Sequence, residues 1–322
     1  MNRNIELDMA RALCALYIVC FLHLQGYSPS HRWFSLEVMS YIEQITSIAL
    51  GCFTFISGLF LGKKCISSKA DILYFYKRRL SRFYLMFFVA ITSIYILSKF
   101  GGFFWFPSFK YYIVSLFGLS CFTFNPPTFW FIEMLIMFYL ATPIILYIKK
   151  KSSRFALVVS IYVFFLICYY FHHMDIRVLV YYPVYIIGML TPLLWIERIK
   201  KNKNLVYGIL SLPIFIISIM TPHYWSNVLF DTNVVYKIWL VLIGTFVIIM
   251  ISSLLCKFSI VGKIGSWLAY ISMAAYLFHR HIYYFFTLVE NSFTSWWFDM
   301  LAALAVVFLS YFIQKEFDKI KL

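Results

Sequence analysis

The chain has 322 residues, 63% hydrophobic and 13% charged, against about half and about a quarter in a soluble domain. That excludes a soluble globular protein and predicts one that crosses a membrane repeatedly. A net charge of +15 raises nucleic acid as a partner. The basic residues, however, lie in short loops between apolar runs, the pattern of membrane topology, so no nucleic acid is expected.

Along the chain, ten apolar runs approach the ~20 residues that a bilayer-spanning helix needs: 9–27, 38–62, 83–99, 128–148, 154–171, 178–196, 204–220, 235–257, 265–286 and 296–314. The fifth and seventh are the shortest. The expectation is an all-α polytopic protein with about ten transmembrane helices in a single domain over 1–322. No A-x-A-like cleavage site follows the first run, which therefore reads as a retained helix rather than a leader. With the N-terminus inside, 22 of the 28 lysines and arginines fall in cytoplasmic segments and five in outer ones, with Arg280 inside a span. This positive-inside excess places both termini in the cytoplasm.

The longest segment between runs, 100–127, is expected outside. It is rich in aromatics (Phe103, Phe104, Trp105, Phe106) and has a candidate re-entrant or interfacial helix around Tyr111 to Phe122. Its aromatics read either as an interfacial anchor or as a wall on which a sugar ring stacks. The seven cysteines stand singly, without C-x-x-C, and read as small hydrophobes inside helices, with no disulfide framework and no metal site. No internal repeat or broken-helix pair stands out, which counts against the commonest transporter plans.

Ionisable residues inside spans are costly and mark function. Here they are Arg11, His23, Glu43, Glu133 and the run Phe278-His279-Arg280-His281. At ~1.5 Å of rise per residue, His23, Glu133 and His279 lie about 6, 7 and 10 Å from the outer ends of their spans. Three helices distant in sequence therefore carry polar groups at similar depth, with Arg280 beside the third. Glu43 is expected at the interface, and His172 and His173, in an outer loop beside Asp175, in solvent. Inside, Phe75-Tyr-Lys-Arg-Arg-Leu-Ser-Arg82 leads into the third span. Arg78 and Arg82 share a helical face, and guanidinium groups suit phosphate; with Arg79 and Arg11 they make a candidate seat for a polyphosphate ligand, against the plainer reading as topological charge.

These pieces together resemble the integral-membrane acyltransferase-3 family, which includes O-acetyltransferases of bacterial surface glycans. The matching stretches are Leu7-Asp8-x-x-Arg11 with the distant His23, F-T-F-I-S-G-L-F-L at Phe53 to Leu61, and F-Y-K-R-R-L-S-R-F at Phe75 to Phe83. Downstream come F-W-F-I-E-M-L-I-M-F-Y-L at Phe129 to Leu140, Y-Y-P-V-Y-I-I-G at Tyr181 to Gly188, and Y-I-S-M-A-A-Y-L-F-H-R at Tyr270 to Arg280. The resemblance implies a multi-pass protein of the bacterial inner membrane that moves an acetyl group from cytosolic acetyl-CoA, its co-substrate, to a glycan hydroxyl such as one of lipopolysaccharide O-antigen. It implies essential roles for Arg11 and His23 and a donor role for Arg78, Arg79 and Arg82. His23 is expected to be the general base, Glu133 to orient it, and His279 or Arg280 to stabilise the oxyanion. The bilayer and a glycan or lipid-linked glycan are the expected partners.

Two features depart from that family's pattern. The proline that often follows the basic stretch is absent from Phe83 to Phe87. Eleven residues also separate Arg11 from His23, where the family usually has ten. At ~100° per residue the usual spacing leaves the two side chains about 20° apart, and this one about 120°. Either Arg11 reaches around the helix or a π-bulge absorbs the extra residue; a bulge is expected. The rival function is a transporter or flippase for a lipid-linked glycan, and a weaker one a scaffold in a polysaccharide assembly complex. Transfer of label from acetyl-CoA to glycan separates the enzyme from both.

Overall fold

The computed structural model describes residues 4–24, 36–100, 108–123, 129–192, 212–216, 230–289 and 296–320; the side chains of 36–40, 80–82, 230–233, 289 and 296 are not described. Among the described residues every regular element is helical. In chain order they are α1 (Ile5–Leu16) with a π segment (Tyr17–His23), α2 (Leu36–Gly62), α3 (Lys69–Phe100), α4 (Phe109–Leu116) with a 3-10 turn (Ser120–Phe122), α5 (Trp130–Tyr147), α6 (Lys151–Tyr170), α7 (Ile176–Leu190), α8 (Phe230–Leu255), α9 (Ser259–Val289) and α10 (Trp296–Lys319). The protein is thus an all-α, polytopic membrane protein.

Among the described residues, seven helices are long and apolar enough to cross a membrane: Tyr41–Gly62, Phe83–Phe100, Trp130–Tyr147, Lys151–Tyr170, Val234–Leu255, Ser259–Leu288 and Trp297–Lys319. Each overlaps an expected span. The expected first span is helical from Ile5 to His23 in two pieces, and the expected sixth is the shorter α7. Of the expected seventh, only 212–216 is described, and it is helical.

Caps explain several starts. Asn4 Oδ1 accepts from Leu7 N–H at the head of α1, and Asp175 Oδ1 from Arg177 N–H at the head of α7. At the head of α3, Ser68 Oγ accepts from Asp71 N–H while the Asp71 carboxylate accepts from Ser68 N–H, a reciprocal capping box. The carboxylate also takes Ser67 N–H. These donors, the Ser67 backbone first, hold Asp71 at about 2, below its ordinary range.

The chain forms two compact units, Met1–Ile56 with Pro192–Ile320, and Ser57–Thr191; the boundary falls inside α2. In the first unit α1 and α9 run parallel in close contact, and α10 returns antiparallel to α9. Membrane helices gain no hydrophobic drive from one another, so small residues that admit close backbones decide where they pack. On α9, Gly262, Gly265, Ala269 and Ser272 succeed one another at spacings of three and four. A Cβ on Gly265 would lie 3.3 Å from Met9 Cα.

In the second unit α5 packs on α3, α6 and α7. Gly58 and Gly62, a G-x-x-x-G pair at the end of α2, abut α7: a Cβ would lie 2.2 Å from Tyr185 O and 2.0 Å from Met189 O. Two of the stretches that carry the family resemblance, at Phe53 to Leu61 and Tyr181 to Gly188, are therefore the two sides of one helix contact. The helix expected around Tyr111 to Phe122 is α4. It ends in a turn at Gly118, with φ of 70°, before the 3-10 turn. Phe103, Phe104, Trp105 and Phe106 lie outside the described residues.

Candidate active site

α1 begins as a regular helix and widens into the π segment at Tyr17. A π turn inserts one residue and is found at functional sites. The bulge expected from the eleven-residue spacing is therefore present, and it restores a common face for Arg11 and His23. Both side chains meet the same helix. Arg11 Nη2 donates to Ser272 Oγ at 3.4 Å, and His23 Nδ1 lies 2.7 Å from His279 Nε2. Ser272 and His279 are seven residues apart, two turns of α9, and so share a face.

The tautomers are set by the partners. His279 Nδ1 lies 2.8 Å from Tyr276 O and 3.2 Å from Ala275 O. Carbonyls only accept, so His279 Nδ1 carries a proton, and in the neutral ring its Nε2 is a bare acceptor. His23 Nδ1–H then donates to that Nε2, which leaves the lone pair of His23 on its own Nε2. The ring planes lie within 12° of each other with centroids 4.7 Å apart. That is an edge-to-edge hydrogen-bonded pair rather than a face stack. His279 is 1% exposed, whereas His23 is only half-buried, so the accessible ring is the one whose Nε2 is available.

Arg11 is fixed from its own helix as well. Its Nη1 stands 3.9 Å from Oδ1 of Asp8, whose side chain is 6% exposed against 32% for Arg11. Asp8, one turn earlier, thereby gains a role that its place in the L-D-x-x-R stretch did not disclose. Arg280 is half-buried and directly follows His279 on α9.

Of the remaining candidates, Glu43 belongs to the first unit and the others to the second. Glu133, fully buried, accepts Ser120 N–H at 2.8 Å on Oε2. It thereby anchors the 3-10 turn to α5. Arg78 is exposed and donates to Tyr74 OH at 3.3 Å; Arg79 is exposed and lies over the Tyr139 ring at 5.3 Å. Arg82 is on α3, but its side chain is outside the described ones. Glu43 is exposed on α2, and His172 and His173 are exposed. Asp175 beside them is buried and paired through both oxygens with Arg177, whose guanidinium lies 3.7 Å from the centre of the Trp130 ring.

Sequence reasoning gave no role to Ser272, Tyr276 or Tyr283. The signal was their spacing: 272, 276, 279 and 283 recur at four, three and four, one face of a helix. Against known proteins, a family model described as an acyltransferase domain, that of the acyltransferase-3 family, matches residues 4–315. Neither a curated protein nor a solved structure matches.

Proposed function

Because the chain belongs to the acyltransferase-3 family, and so is a membrane acyltransferase, we propose that it moves an acetyl group from acetyl-CoA to a hydroxyl of a bacterial surface glycan, such as lipopolysaccharide O-antigen. The observation that carries the chemistry is the carbonyl–His279–His23 chain. It leaves His23 with one accessible basic nitrogen and a buried partner to steady the imidazolium.

The step is direct transfer. His23 Nε2 takes the proton of the acceptor hydroxyl as its oxygen attacks the thioester carbonyl. Negative charge develops on the carbonyl oxygen, and Arg280 is the nearby cation suited to it. The carbon–sulfur bond then breaks, and the departing thiolate takes the proton back from His23. Both ring nitrogens of His279 are engaged, so its part is orientation. Arg11, held by Asp8 and Ser272 on the face that His23 shares, is assigned to the donor's phosphates. Arg78, Arg79 and Arg82 on α3 keep the donor role that the family resemblance implies, guanidinium groups being suited to phosphate. Glu133 holds the outer segment through Ser120.

The test uses membranes, labelled acetyl-CoA and purified glycan. Label is expected on the glycan with the native protein and lost with His23→Ala at equal membrane level. Full transfer by His23→Ala would remove His23 from the chemistry. Absence of transfer by the native protein to any surface glycan would remove the acceptor class.

A further inference from the structure

His23 closes the π segment, so whatever holds that segment wide also sets the direction of the imidazole. An α-helix is the default for such a run, and a π turn persists where outside contacts favour it. Two tyrosine hydroxyls supply such contacts. Tyr17, the first residue of the segment, donates to Ile42 O on α2 at 2.9 Å. Tyr283, fully buried on α9, donates to Val19 O, in the middle of the segment, at 2.9 Å.

Tyr283 stands one turn beyond His279 on α9, and their rings meet edge to face with centroids 5.8 Å apart. The one helix therefore grips the π segment at two points, by an imidazole at its end and by a phenol at its centre. A phenylalanine would fill the same space. The hydroxyl is an extra polar group brought into an apolar interior, where it must find a partner, and the partner it finds is a carbonyl of the widened turn.

We propose that Tyr283 is a positioning residue for His23: its hydrogen bond to the Val19 carbonyl keeps Tyr17–His23 in the π form and so keeps His23 in phase with Arg11. The inference rests on the reading of His23 as the base. Without the hydroxyl the segment relaxes toward a regular helix, which rotates its C-terminal end by ~100° and draws His23 away from His279. Arg11 precedes the segment and is not displaced.

Tyr283→Phe is expected to lower kcat on the order of 100-fold, the scale of a misplaced reacting group, with KM for acetyl-CoA unchanged. A compensating change tests the cause. Deleting Cys20 leaves ten residues between Arg11 and His23, a spacing at which a regular helix aligns the pair within ~20°. The deletion protein is expected to be active, and Tyr283→Phe is expected to cost it little. An equal loss in both backgrounds, an inactive deletion protein at native membrane level, or native kcat in Tyr283→Phe while His23→Ala is inactive would each overturn the inference. Activity in His23→Ala would instead sink the reading it rests on. Should the deletion protein fail to insert, amide exchange decides: Tyr283→Phe is expected to speed exchange in 17–24, and unchanged exchange there would count against the proposal.

Discussion

A neutral imidazole carries one N–H and one lone pair, so its usefulness as a base depends on which nitrogen holds the proton. For His23 the choice is made beyond its own partner, at the carbonyls of Ala275 and Tyr276. Replacing His279 by alanine removes the acceptor for His23 Nδ1–H and frees both the tautomer and the ring. We expect kcat to fall by about two orders of magnitude, in line with a misplaced group, with donor KM little changed. Glutamine, whose side-chain carbonyl can accept the same proton, should recover part of the loss. Transfer rates at saturating acetyl-CoA for the two variants check this, and equal losses would mean that the acceptor is not what matters. The ionisable residues of this site were legible in the sequence because charge inside an apolar run is conspicuous. Their pairing was not, because His23 and His279 are 256 residues apart and meet only through the rotational phase of two helices. Glu133 illustrates the same limit: nothing in its apolar run pointed to Ser120, which a turn at Gly118 brings to its carboxylate from 13 residues away.

At the scale of elements, the positions and lengths of the long helices are dictated by apolar runs, and the π segment by a count of residues between two functional groups. What a count does not show is which glycines are contacts. Gly62 looks like a helix end before the loop at Lys63, yet it lies against the backbone of α7. A methyl group there would sit 2.0 Å from Met189 O, and a backbone carbonyl cannot move aside as a side chain can. Gly62→Ala is therefore expected to destabilise the second unit by about 3 kcal/mol, the upper end for overpacking. The measurement is thermal unfolding in detergent together with membrane level. Gly262→Ala, where the nearest atom is Ile5 Cγ2 at 3.2 Å, should be much milder, because a side-chain methyl can yield by a few tenths of an ångström. Equal effects at the two positions would show that helix proximity, rather than backbone contact, sets the cost.

Across the whole molecule the proposed chemistry needs a direction, because a nucleotide-bearing donor is cytosolic while surface glycans are finished on the other side. The distribution of lysine and arginine supplies one: the loop between α2 and α3 holds Lys63 and Lys64, with Lys69 at the head of α3, while the turn after α6 holds none. Cys65, an exposed free thiol in the first of these, should then face the cytoplasm, and the exposed His172 the opposite compartment. In a protein whose other cysteines are replaced by serine or alanine, a membrane-impermeant maleimide should leave Cys65 unlabelled in right-side-out spheroplasts and label it after lysis. With Cys65 also replaced, His172→Cys should label in intact spheroplasts. The reverse pattern would place Arg78, which lies beyond that loop on α3, on the side without acetyl-CoA, and the donor assignment would fall even if His23 proved to be the base. The two arms thus separate the orientation of the protein from the chemistry of its histidine pair.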